Sequence, residues 1–135
     1  MRLKKSKSEY KKLREKIGKL HFKILLKERG PMCEICRVRK AQGRFHILSV
    51  GSHPHLEFFD GNILLSCWHP CHYIWHHDYR KARDIIEPRI KKLRGESYEM
   101  ALKVAHISAQ RHSLIYLQNI YFCLKNEMKK YDRQP

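Results

Sequence analysis

The sequence predicts a mostly helical α+β fold, with a small hairpin-and-helix core flanked by helices at both ends. Three observations carry this. Apolar residues recur at helical spacing toward both termini, two short runs rich in β-branched and aromatic residues lie in the middle, and two close cysteine pairs bracket those runs. The length of 135 residues suits a single domain.

The first element predicted is a basic helix within residues 1–30. Leu13, Ile17, Leu20 and Ile24 recur on one face, Ser8 stands at its start, and Gly30-Pro31 stops it after Arg29. These thirty residues hold twelve Lys or Arg against three acidic residues, a local net of +9. Lys12, Lys16, Lys19 and Lys23 share one helical face, which suits contact with phosphates.

Residues 44–50 (Arg-Phe-His-Ile-Leu-Ser-Val) read as a strand, Gly51 to Pro54 as a loop, and Asp60-Gly61 as a turn. Asn62 to Ser66 reads as a second strand. A helix starting near Cys71 carries His72, His76 and His77. Beyond Asp84 the chain reads as helical. Pro88 suits a first turn, Gly95 ends that helix, and a longer helix runs from about Ser97 to Lys130. The apolar stripe of that last helix is Met100, Val104, Ile107, Leu114, Leu117, Tyr121, Leu124 and Met128, with Cys123 expected as a core thiol. The expected organisation is a single domain over 1–135, made of the basic helix (1–30), a metal-stapled motif (31–80) and C-terminal helices (84–131).

Composition narrows the function. Twenty-nine Lys plus Arg against thirteen Asp plus Glu give a net charge of +16, so a polyanion is the expected partner and nucleic acid is the commonest one. No apolar run approaches the roughly 20 residues of a membrane helix, and no apolar stretch follows the basic N-terminus, so neither a membrane protein nor a secreted one is expected. Five cysteines, an odd number, argue against a disulfide framework. Cys33-x2-Cys36 and Cys67-x3-Cys71 instead have the form of two knuckles that close a four-cysteine structural zinc site. Seven of the ten histidines fall between His46 and His77, beside that site, where imidazole serves as metal ligand or general base.

In order, these features are Cys33-x2-Cys36, a strand bearing His46, the segment Asn62-Ile63-Leu64-Leu65-Ser66-Cys67, and Cys71-His72 with His76 four residues on. This arrangement resembles the HNH (ββα-metal) endonucleases whose hairpin and helix are tied by zinc. More closely, Gly43-Arg44-Phe45-His46 through Pro54-His55-Leu56-Glu57-Phe58 to Asn62 and Cys67 is similar to the phage NinG/Rap recombination nucleases. The similarity runs over roughly residues 30–102 and includes the stretch from Ile90 through Leu93, Gly95 and Tyr98 to Leu102.

The resemblance implies metal-dependent hydrolysis of DNA phosphodiesters, on branched recombination intermediates such as Holliday junctions and D-loops. It makes His46 the general base and Asn62 the residue that orients it. His72 and His76, at i and i+4, would hold a catalytic Mg²⁺ or Mn²⁺, with His77 competing for the place of His76. Arg37, Arg39, Lys40 and Arg44 join the four helix lysines as DNA contacts. Three departures stand out: Phe45 occupies the position of an acidic or histidine ligand in many HNH enzymes, the second knuckle has three intervening residues, and NinG proteins often lack the histidine found here at position 72. A non-catalytic zinc-containing nucleic-acid-binding protein and an HNH homing or restriction-type nuclease are the alternatives. The remaining expectations are a homodimer through the C-terminal helices and an intracellular location, the host cytoplasm if the protein is phage-encoded.

Overall fold

The structure, a computed structural model, describes residues 8–105 and 110–133. It is mostly helical with one two-stranded sheet, as an α+β reading requires. Its residues gather into two compact units, 29–111 and 1–28 with 112–135.

The unit of residues 1–28 and 112–135 is a helix pair. Helix α1 (Glu9–Arg29) starts where the Ser8 hydroxyl accepts from the Lys11 N–H, and it ends at Gly30, whose φ of 89° is left-handed. The first seven residues of the predicted basic segment lie outside the described ones. Helix α5 (Leu114–Asp132) is capped by Ser113, whose hydroxyl accepts from the Tyr116 N–H. The Tyr10 hydroxyl donates to the His112 carbonyl, and the Tyr131 hydroxyl to Glu28 Oε1, so like ends meet and α1 and α5 run parallel. Ile17, Ile24, Leu25 and Leu117 are buried. Lys12, Lys16, Lys19 and Lys23 are exposed as predicted, and the last three line one groove with Lys125 and Lys129 of α5.

The unit of residues 29–111 is built around an antiparallel pair, β1 (Gly43–His46) and β2 (Ile63–Ser66), with Phe45 opposite Leu64 and His46 opposite Ile63. All four residues of β2 are buried, which explains its unbroken apolar run. The first knuckle precedes β1: Cys33 N–H donates to the Arg39 carbonyl, Arg37 N–H donates back to Cys33, and Arg37 takes a left-handed φ of 61°. The second follows β2 as a π-type turn (Trp68–His72) leading into helix α2 (Tyr73–His77). A one-turn α3 (Tyr79–Lys81) and a second π-type turn (Ala82–Ile86) lead to α4 (Glu87–Ala105). Ile86, Ile90 and Tyr98 cover a core of Cys33, Ile35, Phe45, Ile47, Leu64, Cys67 and Cys71.

One buried carboxylate ties this unit together. Glu34 accepts the Leu65 N–H at 2.7 Å and pairs with both Arg29 (3.3 Å) and Arg94, joining the first knuckle to β2, to the end of α1 and to α4. Gly61 allows a close approach, because a Cβ there would lie 3.0 Å from the backbone oxygen of Ser97 in α4.

The structure corrects four expectations. The first strand ends at His46 and does not reach Val50, because the Asn62 side chain, not a strand partner, takes the Leu48 N–H. The helix expected from Ser97 to Lys130 is two: after the break at Gly95 (φ 34°, ψ −109°), where a helix was expected to end, α4 runs on to Ala105, Gln110 to His112 are irregular, and Ser113 starts α5. Met100 is 52% exposed, since Tyr98 and Ala101 take the inward positions, while Val104's side chain and Ile107 lie outside the described residues. Cys123 is exposed, one position off the stripe of Leu117, Tyr121, Leu124 and Met128.

Candidate functional site

The four paired cysteines converge. The Sγ atoms of Cys33, Cys36, Cys67 and Cys71 all lie within 4.8 Å of one another, with Cys36 and Cys67 at 4.0 Å. A tetrahedral ion with Zn–S bonds of about 2.3 Å needs sulfur–sulfur edges of about 3.8 Å, so this cluster is arranged to hold a structural zinc ion. Among the described residues it is the one group of at least three His, Cys, Asp or Glu side chains so placed. The extra residue of the second knuckle is absorbed by the π-type turn Trp68–His72, in which His72 N–H still donates to the Cys67 carbonyl.

The thiols differ in the charge their surroundings favour. Burial pushes the Cys71 and Cys67 thiols up, and for Cys71 the neighbouring Cys33 adds to it. Burial acts on Cys36 in the same direction, but N–H groups of Val38 and Arg39 point at its sulfur and bring it down to about 7. The surroundings of Cys36 thus favour a thiolate, while burial of Cys67 and Cys71 opposes one.

Alternation along β1 sorts the residues beside this cluster. Phe45 and Ile47 point into the core, while Arg44 and His46 point to the other face. There both reach one atom, the carbonyl oxygen of Glu57: His46 Nε2 at 2.9 Å and an Arg44 guanidinium nitrogen at 3.3 Å. A carbonyl only accepts, so Nε2 carries the proton and Nδ1 is the basic nitrogen of the neutral ring. Arg44 also lies over the Phe58 ring at 5.5 Å, so its guanidinium is committed to the loop as well as to any outside contact.

Asn62 is wholly buried and braces that loop. Its Oδ1 accepts the Leu48 N–H at 2.8 Å, and its Nδ2 donates to the carbonyls of Leu48 (3.1 Å) and Leu56 (3.3 Å). One side chain therefore closes the segment from His46 to Asn62, with Glu57 inside it.

The ring of His72, the residue before α2, and that of His76 on α2 lie 4.6 Å apart between centroids. His77 is 6.5 Å from His76 and turns toward Tyr73 at 4.5 Å, which favours His76 as the partner of His72. Burial, then the neighbouring His76 and His77, hold the His72 imidazolium below its usual range. Trp68 packs edge-on against His72 at 4.7 Å, and Phe45 meets both rings, its centroid 5.6 Å from His72 and 6.3 Å from His76. Two imidazoles are at most a partial ligand set for a divalent ion, and the rings packed against them, Phe45 and Trp68, offer no ligand atom.

Arg37, Arg39 and Lys40 are exposed on the first knuckle, around Val38 at 78% exposure. The sequence reading missed the Glu57 carbonyl, because main-chain acceptors leave no mark on residue identity. It also missed the packing of Tyr73 against His77, although their i, i+4 spacing was there to be read. No protein-family model, curated protein or solved structure matches the chain.

Proposed function

We propose that the chain is a metal-dependent DNA endonuclease of the HNH (ββα-metal) type, nearest to the NinG/Rap recombination nucleases, acting on branched DNA. The observation that carries this reading is the seating of His46, whose ring is fixed in one tautomer by the Glu57 carbonyl on a loop closed by Asn62. A surface histidine needs neither constraint, whereas a general base needs both its orientation and its basic nitrogen defined.

In this reading His46 Nδ1 takes a proton from the water that attacks phosphorus, and Glu57 holds the ring while the imidazolium forms. Asn62 keeps the loop from shifting as charge develops. His72 and His76 are the side chains that would hold Mg²⁺ or Mn²⁺, an ion that would supply charge against the phosphate, although β1 turns His46 to the face opposite the Phe45 ring that meets this pair. The products would carry 5′-phosphate and 3′-hydroxyl ends. The cysteines staple the scaffold with zinc, and the exposed lysines and arginines provide salt-sensitive affinity for phosphates.

Phe45 favours a second reading, a non-catalytic zinc-containing nucleic-acid-binding protein, because an apolar ring stands where a third metal ligand would complete the site. Cleavage assays on supercoiled plasmid, linear duplex and a four-way junction, with Mg²⁺ or Mn²⁺, separate the two. The nuclease reading expects metal-dependent cleavage that His46→Ala lowers by roughly 10²–10⁴-fold. Absence of cleavage by the zinc-loaded wild type on all three substrates rejects it. Preference for linear duplex over the junction would indicate a homing or restriction-type enzyme.

A further inference from the structure

We infer that the groove between α1 and α5 is a DNA-binding surface of its own, in which Lys125 and Lys129 of α5 join Lys16, Lys19 and Lys23 of α1 around one sugar–phosphate strand. This deepens the nucleic-acid reading of the chain and rests on it.

The groove lies wholly within the helix pair and holds about 480 Å³. Lys16, Lys19 and Lys23 line it from α1, and Lys125 and Lys129 from α5, each of them exposed. Asp132 is the acidic residue that joins them, so the lining carries a net charge of +4. The other lining residues, Leu20, Tyr121 and Met128, are half-buried and form the floor. The unit of residues 1–28 and 112–135 has fifteen Lys or Arg against five acidic residues, a net of +10 in a chain of +16. Positive charge is therefore concentrated on the helix pair and, within it, lines both walls of one groove.

Charge, and what covers the floor, decide the occupant. A second copy of this chain would set these five lysines against five more. An acidic amphipathic helix needs an apolar floor open to its own apolar stripe. Here Lys125 Nζ stands over the Tyr121 ring at 4.9 Å, so a cation closes that part of the floor. A sugar–phosphate backbone needs no apolar stripe, but it does need cations at intervals along its length. From Lys16 to Lys23 the helix rises about 10.5 Å, a length over which one strand of a duplex places about four phosphates. Lys125 and Lys129 stand about 6 Å apart along α5, and α1 and α5 run parallel, so both rows follow one direction. The groove has the size of a small-ligand pocket and does not admit a duplex, so it seats one backbone, of a paired or an unpaired strand.

The test is fluorescence anisotropy with a short labelled duplex over a range of salt, without added divalent ions. The groove variant Lys125→Gln/Lys129→Gln is compared with wild type and with Lys27→Gln/Lys130→Gln. The latter removes the same charge from exposed positions of the same two helices outside the groove. All three proteins are zinc-loaded and checked for wild-type circular dichroism. The groove variant should flatten the dependence of log Kd on log salt by about 1.8, as loss of two phosphate contacts does. The control should flatten it by less than half as much. A control that reaches half of that effect, or a groove variant that leaves the slope unchanged, would overturn the proposal. A further arm uses a labelled helical peptide with leucines along one face and glutamates beside them. A groove variant that keeps the DNA slope but loses this peptide would assign the groove to an acidic protein and overturn the proposal as well. Binding is read without cleavage, so an inactive protein that shows the selective flattening keeps the groove and loses the enzyme reading. A protein that cuts DNA with an unchanged slope in the groove variant does the reverse.

Discussion

The two units of the molecule are specified by different physics. In the helix pair, α1 and α5 follow from apolar periodicity, and most exposed positions are interchangeable polar residues. In the unit of residues 29–111, structure rests on individual atoms: four sulfurs, one buried carboxylate, one buried amide and one main-chain carbonyl. A small hairpin buries too little apolar area to hold itself, so point constraints do the work there that a stripe of aliphatic side chains does in the helix pair.

The largest expected effect of breaking this contrast comes from the metal. Structural zinc contributes on the order of 10 kcal/mol to such sites, so stripping it should unfold residues 29–111. Both tryptophans, Trp68 and Trp75, belong to that unit and none belongs to the helix pair, so tryptophan fluorescence reports on it alone. A strong red shift on chelation, reversed by zinc, is the expected result, and Cys67→Ser should behave like the stripped protein.

Next in size is Glu34→Ala. It leaves Arg29 and Arg94 facing each other and the Leu65 N–H unpaired in the interior, a loss of about 3–5 kcal/mol in urea unfolding. Asn62→Ala removes three hydrogen bonds, one buried and two part-buried, from the loop carrying the Glu57 carbonyl. It should cost roughly 1–3 kcal/mol, and in the nuclease reading it should also lower cleavage by more than its stability loss explains. At the small end, replacing Lys16, Lys19 and Lys23 together by Gln should move stability by about 0.5 kcal/mol or less, because these side chains are exposed. The same triple variant should flatten the dependence of log Kd for duplex DNA on log salt by roughly 2.7, if all three contact phosphates.

How much of this was legible in the sequence follows the same division. Helix α1 could be read nearly to its ends, because Ser8, the Leu13-Ile17-Leu20-Ile24 stripe and Gly30-Pro31 are local signals. The four-cysteine cluster was legible because thiolate chemistry tolerates few substitutes. The first strand was drawn too long because residues 47–50 have strand character, and the group that ends the ladder, Asn62, lies fourteen residues away. The break before α5 was missed although Ser113 is an ordinary N-cap, since Ile107, Leu114 and Leu117 keep helical spacing across it. At the site, residue types pointed to His46, Asn62, His72 and His76, but only the pleat of β1 shows that Phe45 faces the histidine pair while His46 faces Glu57.

That separation of Phe45 from His46 makes one measurement decisive: the rate of four-way-junction cleavage by zinc-loaded wild type, His46→Ala and Phe45→His across a Mg²⁺ or Mn²⁺ titration. The account predicts cleavage by the wild type at high metal concentration and roughly 10²–10⁴-fold less by His46→Ala. It predicts half-maximal activity at lower metal for Phe45→His, whose added imidazole completes the ligand set. A wild type that binds the junction but never cuts it, with Phe45→His equally inert, would contradict it.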